Sequence, residues 1–93
     1  MTQPAPTIGR IVHYTLHEHD AAAIQHRRKQ AGTLANFVEE GQTYPAIVVR
    51  VWSPDSGSAN IRVLLDGNDD LWVTSATPAN EPTPGRWNWP PRA

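Results

Sequence analysis

The chain has 93 residues, enough for one small domain, and it has no cysteine, so disulfide scaffolds and cysteine-ligated zinc are excluded. Eight basic against nine acidic side chains leave a net charge of -1, which offers no long-range attraction to duplex nucleic acid or an anionic membrane. The 39% hydrophobic content and mean hydropathy of -0.51 are ordinary for a soluble domain, but nine prolines and four tryptophans are not, so turns and aromatics are expected to define the fold. No apolar run approaches the roughly 18 residues of a membrane span, and MTQPAPT lacks the basic and apolar regions of a signal peptide. The chain is therefore expected to stay soluble in the compartment where it is made.

Residues 1–7 hold two prolines and no long apolar side chain after Met1, and are read as an extended N-terminal arm of the kind that orders against a partner. The remainder, 8–93, is read as a single small β-barrel domain with a helical insert at 20–41. Residues 8–16, IGRIVHYTL, carry β-branched and aromatic residues with Val12, Tyr14 and Leu16 two apart, the pattern of a first strand. Asp20 is placed to cap a helix over 21–31, with His26, Arg27, Arg28 and Lys29 toward its C-terminal end and Gly32 beyond it. A further turn or two over 33–40 would group Leu34, Phe37 and Val38, with Gly41 as terminator. Residues 44–52, YPAIVVRVW, form a second strand, with Ile47, Val49 and Val51 on one face and Val48, Arg50 and Trp52 on the other. Strands at 60–66 and 71–75 flank Asp66-Gly67-Asn68-Asp69-Asp70, a hairpin turn whose Gly and Asn tolerate positive φ. After a proline-rich loop, Arg86-Trp87-Asn88-Trp89 reads as a short last strand with both tryptophans on one side, stopped by Pro90 and Pro91.

Four or five short strands with one long excursion predict a mainly β fold: a small SH3-like antiparallel barrel, or a curled sheet, with an inserted helix. The blocks IGRIVHYTL, PAIVVRVW, VLLDGNDDLWVTS and PGRWNWPPR, in this order, resemble a group of small proteins encoded by tailed bacteriophages and prophages. That resemblance implies a phage origin and carries no assigned activity. The segment between the first two blocks is longer here than in some of the proteins it resembles, so chemistry resting on the 21–31 helix would be particular to this chain.

Several constellations invite a chemical reading. His13, His17, Glu18, His19, Asp20 and His26 cluster in sequence but match no metal-ligand spacing, and solvated histidines beside a helix cap explain them. Asp66, Asn68, Asp69 and Asp70 lack the length and the terminal glutamate of a calcium loop, and Asx turns account for them. Ser53, Ser56, Ser58 and Ser75 sit in no nucleophile elbow, so the chain is expected to be no enzyme and to need no metal or cofactor. The remaining set is aromatic and cationic: Tyr14, Arg50, Trp52, Trp72, Arg86, Trp87 and Trp89, in a chain where seven of the eight cations are arginine. Flat apolar faces beside guanidinium groups stack a purine or hold an oxyanion. The competing structural reading has Trp52 and Trp72 filling the core while Trp87 and Trp89 pack on prolines.

The expected function is that of a non-catalytic phage accessory protein in the host cytoplasm, which binds a nucleotide-like signal or a host protein through this aromatic and arginine surface. The alternative is a virion component, such as a head decoration, connector or tail protein, whose arm runs onto a neighbour. Open strand edges also make a homo-oligomer a candidate assembly.

Overall fold

Alternation of β-branched and aromatic residues builds five strands, with one inserted helix, among the described residues: β1 (Ile11–Thr15), α1 (Glu18–Ala31), β2 (Thr43–Ser53), β3 (Ser58–Leu64), β4 (Asp70–Ala76) and β5 (Trp87–Asn88). The computed structural model describes residues 4–91; residues 1–3 of the expected arm and 92–93 of the tail lie outside the described residues. The strands form one antiparallel sheet in the order β4-β3-β2-β1-β5. It curls without closing. Pro78, just beyond β4, bridges Trp87 of β5, and among the described residues the two ends of the sheet meet at that one bridge. The mainly β fold with an inserted helix is thus the one expected, in its curled-sheet form.

The concave side of the curl is the core. Val12 and Tyr14 from β1, Ala46 and Val48 from β2, Ala59, Ile61 and Val63 from β3, Ala76 from β4 and Trp87 from β5 are all buried there. Trp87 is the largest of them at 1% exposure, and its indole N–H donates to the Gly57 carbonyl at 3.0 Å. The straight alternation expected for β2 fails midway. A register shift between Val48 and Arg50 inserts an extra residue, so Val48 and Val51 both turn inward while Arg50 and Trp52 turn outward.

The helix starts three residues before the expected position. His17, not Asp20, is its N-cap: the His17 Nδ1 accepts from the His19 N–H at 3.1 Å, and Asp20, at the third helical position, accepts from the His17 N–H at 2.9 Å. Asp20 also accepts from the Tyr14 hydroxyl at 2.5 Å, which ties the first turn to β1. Gly32 ends the helix at φ 64°, its N–H donating to the Arg28 carbonyl, as its place in the sequence indicates.

No helical turn forms over 33–40. The backbone there pairs with the β3–β4 turn instead: Asn68 N–H donates to the Leu34 carbonyl at 3.1 Å, and Asn36 N–H to the Asp66 carbonyl at 2.8 Å. Only Val38 of the expected apolar trio is buried, while Leu34 is 80% and Phe37 67% exposed. Arg28 fastens this arrangement. Its guanidinium grips both Asp69 carboxylate oxygens, at 2.7 and 3.0 Å, and donates to the Asn36 carbonyl at 2.7 Å.

Positive φ is likewise not the reason for Gly67 or Asn68 in the hairpin turn, since neither residue has it. Gly67 is needed for closeness: a Cβ there would lie 2.3 Å from the Ala35 Cβ. The described part of the arm, residues 4–7, lies against its own domain, with Pro6 buried and the Pro4 carbonyl accepting from the Trp89 indole at 3.0 Å.

Candidate functional site

The register of the sheet determines what its outer face carries. Ile11 on β1 pairs with Ile47 on β2, Ile47 with Arg62 on β3, and Arg62 with Trp72 on β4, so these four side chains form a row across four strands. Arg50 on β2 pairs with Asn60 on β3 in the neighbouring row, with Trp52 beyond it. Trp52 and Trp72 are each 52% exposed, and Ile11, Val49 and Leu64 are also exposed. One side of the sheet thus presents two indoles, three aliphatic side chains and two arginines. Large aromatic and aliphatic side chains exposed together with arginines on one face are the residue types found at interaction surfaces.

The Trp52 platform is held in place by the residues around it. Its indole N–H donates to the Asn60 Oδ1 at 2.7 Å, and the same oxygen accepts from the Thr74 hydroxyl at 2.9 Å and the Ser75 N–H at 2.8 Å. Ser75 adopts φ 55°, the only positive φ at a non-glycine among the described residues. Holding that conformation aims its amide at Asn60, so a buried carboxamide joins β2, β3 and β4 beneath the surface. From the other side the Arg50 guanidinium lies 4.6 Å from the centre of the Trp52 ring. Trp52 is therefore exposed yet oriented. Arg62 is held by Asp70 at 3.1 Å, whereas Arg50 has no carboxylate partner among the described residues.

The seven residues expected to share one binding surface divide among three places. Arg50, Trp52 and Trp72 lie together on the outer face. Tyr14 and Trp87 are core residues, at 2% and 1% exposure, because their strands turn them to the concave side. Trp89 stands half-buried at the arm, edge-on to Trp87 with ring centres 5.4 Å apart and with Arg10 above it, and Arg86 donates to the Pro78 carbonyl. The reading with Trp52 and Trp72 as core is reversed: Trp87 holds the core, and the other two face outward.

Two members of the surface escaped the sequence reading. Arg62 was legible in principle, because a turn at 65–69 that pairs Leu64 with Asp70 must also pair Arg62 with Trp72. Asn60 carried no such signal, since asparagine is depleted in strands and its role depends on a bulge in β4.

The other constellations have structural work. Asp69 binds Arg28 and Arg27, Asp66 accepts from Asn36, and Asp70 accepts from Arg62. The hydrogen bond from Arg28, more than any other contact, holds the Asp69 carboxyl below the usual range. Burial, and then the bond to Asp20, push the Tyr14 phenol above its usual range. His17 caps the helix with its ring 4.6 Å from that of His19 and tilted 55° to it, while His26 contacts Gln30 one turn along. No group of three or more metal-ligating side chains converges among the described residues. Ser53 and Ser56 serve the β2–β3 turn as acceptors for backbone N–H groups. A cleft of about 210 Å³ lies between the arm and the 54–57 turn, lined by Pro4, Pro6, Pro54, Pro78 and the edge of Trp87. No described helix is long and apolar enough to cross a membrane. Comparison with protein-family models, with curated proteins and with solved structures gives no match.

Proposed function

We propose that the chain is a non-catalytic binding protein that docks a macromolecular partner on the outer face of its sheet, through Trp52, Trp72, Arg50 and Arg62. The observation that carries this is the Trp52 platform, half-exposed yet fixed by Asn60 beneath and Arg50 beside it. A side chain ordered before binding gives up little entropy on contact, and Trp and Arg are the residue types that dominate binding energy at interfaces. A small nucleotide-like ligand needs a site that encloses most of its surface. Two indoles on an open face fit an extended partner better, so of the two ligands considered the host protein is preferred. Asp66, Asp69 and Asp70 and the turn serines Ser53 and Ser56 are engaged in structural contacts, which supports a reading of binding without chemistry. The resemblance of four sequence blocks to small phage proteins implies a partner in an infected bacterial cell. The virion reading calls for an arm that runs onto a neighbour; the contact of residues 4–7 with their own domain favours the accessory reading.

The test is photo-crosslinking in infected cells from a probe at Ile47, compared between the parent and a Trp52→Ala/Trp72→Ala variant. A discrete crosslinked species lost in the variant is the expected result. A species that persists at equal yield refutes the assignment of the face. Parallel titration of the parent with nucleotides, followed by tryptophan fluorescence, reports the small-molecule version directly.

A further inference from the structure

The two edges of the sheet are treated differently. β5 is two residues long, its Trp87 backbone groups are taken by Thr77 and Ala79 of the same chain, and Pro84, Pro90 and Pro91 flank it. That edge is closed to further pairing. The β4 edge has no such protection. Among the described residues, no backbone group of Leu71, Trp72, Val73 or Thr74 bonds to anything beyond the sheet. The open stretch has sharp limits, since the Asp70 carbonyl is taken by Arg27 and the bulge that carries Ser75 at φ 55° interrupts the ladder beyond Thr74. It contains no charge, no proline and no glycine, the devices by which exposed edges are normally kept apart.

We propose that this edge pairs with the β4 edge of a second copy of the chain, antiparallel about a two-fold axis at Trp72. Opposite residues in an antiparallel pair share a face, so the register is restricted to those that bring outer against outer and inner against inner. With the axis at Trp72, the two indoles lie opposite each other on the outer face. Leu71 of each copy then meets Val73 of the other on the inner side, where both are half-buried in the single chain. The charges agree with this partner. Asp70, already paired with Arg62, comes opposite an uncharged Thr74, and no like charges meet along the seam. Stable dimers bury on the order of 1,200–2,000 Å², and four residues of edge with one large side chain fall short of that, so the dimer belongs to the weak, concentration-dependent class. Its result is a continuous sheet of ten strands in which two Trp52–Trp72 surfaces lie side by side. This pairing does not depend on the partner proposed above, because it is read on the purified chain alone.

Sedimentation equilibrium of the intact protein from about 10 μM to about 1 mM tests it. The weight-average mass is expected to rise from 10.3 kDa toward twice that value. Trp72→Lys, which puts a charge at the axis, is expected to weaken association at least tenfold, while Trp52→Lys, on the same face but on an interior strand, leaves it unchanged. A mass of 10.3 kDa throughout overturns the proposal, as does a dimer that survives Trp72→Lys or that Trp52→Lys weakens equally. Amide exchange of the unmodified chain gives a reading free of any folding defect. Protection over 71–74 must grow with protein concentration, and growth confined to other segments excludes this seam.

Discussion

Replacing Gly67 with alanine tests the contact that joins the helical insert to the sheet. The new Cβ would lie 2.3 Å from the Ala35 Cβ, 2.8 Å from the Ala35 Cα and 2.9 Å from the Leu34 carbonyl oxygen. Carbon atoms in contact sit about 3.5–4.0 Å apart, so the two segments must separate by more than an ångström. Backbone atoms cannot rotate out of the way as a side-chain tip does. The hydrogen bonds Asn68 N–H to Leu34 and Asn36 N–H to Asp66 flank the clash and are the first to stretch. At about 0.5–1.5 kcal/mol each, losing both costs about 1–3 kcal/mol. If the segments hold, overpacking strain of about 1–3 kcal/mol replaces that loss. For a domain of this size either route lowers Tm by roughly 5–20 °C. The assay is thermal unfolding followed by circular dichroism, with amide exchange over 34–38 to localise the effect. Adding Ala35→Gly removes the shortest contact but leaves the Leu34 carbonyl in place, so part of the loss should return, as coupling between neighbours requires. A Gly67→Ala variant that melts with the parent and keeps its protection over 34–38 refutes the close-approach argument.

Urea denaturation should separate the tryptophans: Trp87→Ala is expected to cost about 3–5 kcal/mol and Trp72→Ala less than about 1 kcal/mol, and equal costs would refute the division between core and face. Arg28 and, to a smaller extent, Arg27 hold the folded-state pKa of Asp69 below its unfolded value, so its stabilisation is intact above about pH 4 and is lost as pH falls through the folded value. Asp69→Asn should therefore flatten the acid limb of a stability profile, and an unchanged limb would assign that dependence to other carboxylates. Burial and Asp20 raise the folded pKa of Tyr14 above its unfolded value, so its contribution is complete below about pH 10 and is lost as pH rises further. Tyr14→Phe should lower stability at neutral pH by about 1–3 kcal/mol, through the lost bond to a carboxylate, and remove that alkaline loss. A steep alkaline decline that survives in Tyr14→Phe would exclude the phenol as its cause.

The strands were legible because their period is local. Val12 with Tyr14, and Ile61 with Val63, alternate as half-buried strands must, and a turn built on Asp66 and Gly67 fixes the β3–β4 register. What was not legible depends on contacts distant in sequence. Helical spacing of Leu34, Phe37 and Val38 yields to backbone bonds with a turn about thirty residues ahead, reinforced by the Arg28–Asp69 pair. The β2 bulge reverses which side Arg50 and Trp52 occupy relative to Val48, and a strict alternation of two carries no sign of it. The same reversal explains the candidate surface. Its residue types were evident, but only pairing across strands separates the outward Trp52 and Trp72 from the inward Trp87.

The strand order also has a kinetic side. β2, β3 and β4 are consecutive hairpins, whereas β1 reaches β2 across the whole insert, and β5 joins β1 from the far end of the sequence. The bond between Trp89 and Pro4 spans 85 residues. Loop-closure entropy therefore falls mainly on β1 and β5, and the three-stranded meander is the natural nucleus. Changes in the 54–57 and 65–69 turns should slow folding, while changes around Trp87 should chiefly speed unfolding. In a meander that forms first, the inner faces of Val48, Ile61 and Val63 stay open to water until β1 and β5 dock. On that route, faster docking of β1 and Trp87 shortens the exposure of these faces to aggregation.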